Sequence, residues 1–111
     1  EKLPDILPEE KASLLHGDLW SGNYMVNSDR KAMLIDPAVY YGYREAEIAF
    51  THLFGGFGEG FYTAYQERYP LESGFKDRMD IYNLYPLLVH TNLFGPSYLS
   101  AVERTLDKYL G

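Results

Sequence analysis

The chain has 111 residues, no cysteine, and sixteen acidic against ten basic side chains, for a formal net charge of −6. The missing cysteines exclude disulfide frameworks, thiolate metal centres and thiol nucleophiles, and the acidic balance argues against a nucleic-acid binder, whose affinity rests on neutralising phosphates. At about 100–200 residues per domain there is room for one domain, no apolar run approaches the roughly 18 residues of a membrane span, and 46% hydrophobic residues exclude a disordered chain.

No signal peptide and no Asn-x-Ser/Thr sequon is visible, so a cytoplasmic location is expected. The first residue is Glu1 rather than Met, which suggests part of a longer protein.

Three short strand-like runs come first: residues 12–15, 23–26 and 32–35. Gly17 and Gly22 punctuate the first gap and Asn27-Ser28-Asp29 the second, so the second and third runs read as a β-hairpin. At Arg44 the period becomes helical, with Ala46, Ala49, Phe50, Leu53 and Phe54 on one stripe and Gly55-Gly56 as the stop. A second helix is expected from Glu59 to Tyr69, before Pro70, with Phe61, Tyr62, Tyr65 and Tyr69 as its apolar face. A third, longer helix runs from about Gly74 to Leu93. It is apolar on every side over residues 84–89, which predicts burial, and Pro86 should kink it. A fourth follows Pro96, with Leu99, Val102, Leu106 and Leu110 inward. Strands first and helices after give the α+β class.

The chemistry concentrates in residues 16–23, His-Gly-Asp-Leu-Trp-Ser-Gly-Asn, and in Asp36-Pro37. Asp18 and Asn23 share one glycine-containing loop, and the hairpin returns Asp36 to its mouth. Pro37 should bias Asp36 toward an extended backbone. Oxygen donors without a His or Cys cluster suit a hard cation such as Mg²⁺, which typically takes one or two carboxylates together with substrate phosphates. That leaves Asp18 to accept a proton from a hydroxyl. The spacing fits the kinase arrangement of a catalytic Asp, an Asn five residues on and a later metal-binding Asp. Mg-dependent phosphoryl transfer to an alcohol is the chemistry expected.

Beyond spacing, the chain resembles the fructosamine kinases (ketosamine-3-kinases), of the aminoglycoside phosphotransferase-like and protein kinase-like fold. The resemblance lies in residues 14–23, in Asp36-Pro37-Ala38-Val39-Tyr40-Tyr41-Gly42, in Arg44-Glu45, and in residues 53–57 and 92–95. It implies that residues 1–111 are the C-terminal lobe portion of such a kinase: catalytic loop and β-hairpin followed by about four helices. The N-terminal ATP-clamping lobe is absent, since no glycine-rich phosphate loop or strand lysine is present.

On this resemblance Asp18 is the catalytic base acting on the sugar hydroxyl. Asn23 and Asp36 hold Mg²⁺ on ATP, and His16 buttresses the loop. Trp20, Tyr41, Arg44 and Glu45 are the candidate sugar contacts. Trp20 reads alternatively as core, and Arg44-Glu45 as an ion pair at a helix start. His52 and His90 are expected to be structural. The chain departs from the family pattern at Tyr43, Glu47, Pro86 and Val89, which bears on the sugar pocket more than on the chemistry.

The implied partner is a small-molecule or protein-bound ketosamine, with neither nucleic acid nor membrane. The piece alone is expected to be inactive and open to self-association through the surface that the missing lobe would cover. Two rival readings are a non-catalytic binding module of kinase fold and a metal-dependent hydrolase built on His16, Asp18 and Asp36.

Overall fold

A computed structural model describes residues 3–111. After one helical turn, α1 (Leu3–Ile6), the chain enters β1 (Ser13–Leu15), then a 3-10 turn at Ser21–Asn23 and the strands β2 (Tyr24–Val26) and β3 (Ala32–Leu34). β2 and β3 form the expected antiparallel hairpin, with Met25 opposite Met33. Asn27 closes its turn by accepting the N–H groups of Asp29 and Lys31, both at 2.9 Å, on one side-chain oxygen, while Arg30 takes a left-handed φ of 60°. Such Asx bonding to the local backbone is what favours Asn in turns. A fourth strand, β4 (Tyr40–Gly42), was not expected; it pairs antiparallel with β1, Leu15 opposite Tyr40. Its partner lies far away in sequence, and three residues are too few to show an alternating pattern.

The helices α2 (Arg44–Phe54) and α3 (Glu59–Arg68) fall where periodicity puts them, and α2 ends at Gly55 with a φ of 65°. The stripe that α2 buries differs from the expected one: Glu45, Ile48, Ala49 and Thr51 go inside. Ile48, Ala49 and Phe75 are the centre of the core, surrounded by Phe61, Tyr62, Tyr65 and Met79. Glu45 is fully buried because it is neutralised there. Arg78 donates to it from Nε at 3.0 Å and from an Nη at 2.6 Å, and the Tyr82 hydroxyl donates at 2.7 Å. A two-pronged guanidinium on a carboxylate offsets much of the cost of taking both charges from water.

The long third helix is two helices, α4 (Phe75–Tyr82) and α5 (Leu84–Phe94), parted at Asn83, so five helices follow Arg44. Pro86 is the cause, acting at a distance. It lacks the N–H that would bond the Tyr82 carbonyl and its ring crowds that carbonyl, so the helix opens three residues upstream. Pro86 itself lies in the first turn of α5, where an unbonded N–H is normal. Asn83 fills the gap by donating its side-chain N–H to the Ala49 carbonyl at 3.0 Å.

α5 is not buried all round. Of residues 84–89 only Leu87 is buried, while Tyr85 is 77% and Leu88 45% exposed. In α6 (Leu99–Leu110) Val102 and Thr105 are buried, whereas Leu99, Leu106 and Leu110 lie open to solvent. Tyr69, expected on the second helix, falls just past the end of α3 and stands outside the core. Sequence pattern reveals which residues are apolar, and not whether a neighbour packs over them. Among the described residues no helix is long and apolar enough to cross a membrane.

Candidate active site

The loop between β1 and the 3-10 turn is bolted to three parts of the molecule. Glu47, in the first turn of α2, accepts the His16 N–H at 3.0 Å on one carboxylate oxygen and the Gly17 N–H at 2.8 Å on the other. The His16 carbonyl accepts the Ala38 N–H at 2.8 Å. Its ring accepts the Asp18 N–H on Nδ1 at 3.2 Å and donates from Nε2 to the Ile35 carbonyl at 2.7 Å. Those two bonds fix the Nε2–H tautomer and occupy both nitrogens, so His16 ties the loop to the strand end before Asp36. Gly17 turns the chain at a φ of 91°, and a Cβ there would collide with the Ala38 carbonyl.

On this frame Asp18 and Asn23 meet. The Asn23 side-chain N–H group donates to the Asp18 carbonyl at 2.9 Å and to one Asp18 carboxylate oxygen at 3.1 Å. Among the described residues the Asn23 amide oxygen and the second Asp18 oxygen have no protein partner. Asn23 also accepts the Ile35 N–H on its backbone carbonyl at 3.0 Å, which brings Asp36 alongside. Asp36 does not take the extended backbone expected before Pro37; its φ is 50°. The bonds that flank it, Ile35 to His16 and Ala38 to His16, force a turn there, and Asp is among the few residues that tolerate a left-handed backbone. Its exposed carboxylate has no protein partner among the described residues.

Asp18 faces two adjoining hollows. The larger, about 550 Å³, is lined by Gly17, Tyr40, Phe50, Tyr85 and His90 as well as Asp18. The smaller, about 410 Å³, is lined by Asp18, Trp20, Phe54, His90 and Tyr98. Burial, with the negative charge of Glu47 next in weight, pushes the Tyr40 hydroxyl above its ordinary pKa, so it stays protonated as a donor.

The other sequence candidates lie apart. Tyr41 is 73% exposed and lines neither hollow; its neighbour Tyr40 takes that place. Arg44 and Glu45 do not pair with each other. Glu45 is held in the core by Arg78, and Arg44 bonds Glu10 at 3.1 Å and the carbonyls of Tyr69 and Pro70 at 2.8 and 2.7 Å. Neither lines the hollows beside Asp18. Sequence reasoning missed Tyr40, Phe50 and His90 as cleft residues and Glu47 as the loop's anchor. No spacing could have signalled them, since they reach Asp18 only through tertiary packing.

The unpartnered oxygens of Asn23 and Asp36 are hard donors on neighbouring backbone segments. They fit a small divalent cation that takes its remaining ligands from phosphate and water. Among the described residues no cluster of three or more His, Cys, Asp or Glu side chains could hold a metal without such help.

The family model for fructosamine kinase matches residues 3–111. The chain belongs to the fructosamine kinase family. A protein named "Probable ketoamine kinase" from Lactiplantibacillus plantarum is 54% identical over 99 residues, which are 89% of this chain and 35% of that protein. The chloroplastic protein-ribulosamine 3-kinase of Arabidopsis thaliana is 45% identical over 97 residues, 87% of this chain and 29% of the plant protein. A crystal structure described as a "putative fructosamine-3-kinase" from Thermobifida fusca superposes with a TM-score of 0.84 at 38% identity, over 96% of this chain and 37% of that one. This fructosamine kinase-family chain therefore spans about a third of the length of the relatives it matches. Its small antiparallel sheets and following helices match part of the C-terminal lobe of a kinase-like fold.

Proposed function

We propose that these residues are the catalytic-loop-bearing part of a longer, cytoplasmic, Mg-ATP-dependent kinase that phosphorylates a sugar hydroxyl of ketosamines, free or protein-bound, and that the 111 residues alone transfer no phosphate. The observation that carries this reading is the division of labour at Asn23. Its nitrogen holds Asp18, while its oxygen and the Asp36 carboxylate stay free. Asp18 then keeps one oxygen aimed by Asn23 and one available to take the hydroxyl proton as the sugar oxygen bonds the γ-phosphorus and the bond to the ADP oxygen breaks. Asn23 and Asp36 would hold Mg²⁺, which neutralises charge on the phosphate oxygens when bound. Phe50 and Trp20 present flat apolar surface to a sugar face and exclude water from the transfer.

Mass spectrometry of fructosyl-lysine incubated with Mg-ATP and the longer chain tests the reading directly. Phosphorylated product is expected from the longer chain and none from the 111 residues. Asp18→Asn in the longer chain should lower kcat by about 10²–10⁴-fold, the usual weight of a general base. A longer chain that adds no phosphate overturns the substrate assignment, and an Asp18→Asn variant as fast as wild type overturns the role of Asp18.

A second reading, a non-catalytic module that binds a partner or a second copy of itself, draws on the open apolar surface of the hairpin and α5.

A further inference from the structure

His90 stands where the two hollows beside Asp18 meet, and its surroundings leave it one free function. Its Nδ1 lies 2.8 Å from the carbonyl of Pro86, one turn back on α5. Only an N–H can bond a carbonyl, so Nδ1 carries the proton, and in the neutral ring Nε2 is a lone-pair acceptor. Phe54 stacks on the ring at 4.2 Å between centroids. Tyr98 meets it edge-on at 5.4 Å, and Phe94 lies at 5.5 Å. The imidazole is thus clamped by a carbonyl and an aromatic collar, and Nε2 has no partner among the described residues. A histidine serving only to fill the core would be buried with its polar atoms satisfied. His90 instead is half-buried, lines both hollows, and shares both with Asp18 and Phe50.

We infer that His90 is a substrate-binding residue of the acceptor pocket, its Nε2 accepting a hydrogen bond from a sugar hydroxyl next to the one whose proton Asp18 takes. The inference rests on the kinase reading above and adds to it a specificity determinant on α5. Two contacts from opposite walls, Asp18 on the loop and His90 on the helix, fix which hydroxyl faces the phosphate. The collar of Phe54, Phe94 and Tyr98 beside the smaller hollow suits the apolar stem of the amine that a ketosamine carries. A polyol without that amine gains nothing from this wall. Pro86 contributes by keeping α5 broken from α4 and by lending the carbonyl that sets the tautomer.

Steady-state kinetics of the longer chain with fructosyl-lysine separate the possibilities. His90→Phe keeps a ring for the collar and removes the acceptor. It should raise KM for fructosyl-lysine about tenfold, the scale of losing one hydrogen bond and leaving its donor unpaired. KM for ATP should stay within experimental error of wild type, and kcat should fall far less than for Asp18→Asn. His90→Gln, which restores a polar tip, should recover part of the loss and serves as the measurement if His90→Phe folds poorly. An active wild type whose KM for fructosyl-lysine is unchanged in both variants overturns the role of His90 and leaves the kinase reading standing. Equal rises in the KM values of ATP and fructosyl-lysine overturn it too, because they mark a general loss of structure. A wild-type chain that phosphorylates no ketosamine overturns both readings together.

Discussion

Glu47 shows how one side chain can decide the shape of a catalytic loop. Both its oxygens are spent on backbone N–H groups, those of His16 and Gly17, and hydrogen bonds to a charged acceptor contribute about 1.5–3 kcal/mol each. In the sequence Glu47 reads as a departure within the sugar pocket; in the structure it is a fastening for the residues before Asp18. Glu47→Gln turns one acceptor into an N–H group pointing at another N–H. We expect that change to cost about 2–3 kcal/mol of stability on that scale. It should also lower kcat in the longer chain with little change in KM for ATP. Urea denaturation and kinetics check the two halves, and a Gln variant as stable and as fast as wild type would remove Glu47 from this role. The proximity of Asp18, Asn23 and Asp36 was legible because a five-residue spacing and a hairpin are local facts. Glu47, Tyr40 and His90 were illegible because only packing brings them to the loop.

The helices carry a different lesson about what pattern can tell. Periodicity located α2 and α3 well because a 3.6-residue stripe is a property of the helix itself. It leaves Glu45 off the apolar stripe, since a carboxylate is polar by every scale and only its partner Arg78, on α4, makes burial tolerable. It also drew α4 and α5 as one helix, because Pro86 disrupts the turn before it and leaves the apolar pattern running through. The Glu45–Arg78 pair couples α2 to α4, and the carboxylate holds the Arg78 guanidinium above its usual pKa. Removing one partner strands the other as an uncompensated buried charge. Arg78→Met should therefore destabilise the fold by about 3–5 kcal/mol. The double variant with Glu45→Leu should recover much of the loss, since an apolar pair asks for no neutralising. Denaturation midpoints of the three variants decide this, and an Arg78→Met protein within 1 kcal/mol of wild type would contradict the picture.

On the scale of the whole molecule, apolar surface is distributed unevenly. The hairpin leaves Met25, Val26, Met33 and Leu34 about half exposed, and α5 leaves Leu93 and Phe94 each 68% exposed. Contiguous apolar faces of this kind normally mark contact with another body. We expect the 111-residue chain to sediment as more than one species, its average mass rising with concentration. Lysine at both Met25 and Met33, which oppose each other on the hairpin, should restore the monomer without touching Asp18. A wild-type chain that stays monomeric at its solubility limit would exclude self-association through this face.

Glu45 and Glu47 leave the same first turn of α2 for different destinations, one for Arg78 in the core and the other for the amides under the catalytic loop. The loop is thereby geared to the helical core through a rigid shaft two residues wide. A surface loop would normally open many times for each global unfolding event. Here the His16 and Gly17 amides are held by a side chain rooted in α2, so hydrogen exchange should give them a slower clock than an open loop's. The segment that presents the base is then a fixed stator, against which any mobile part of a longer enzyme must do the turning.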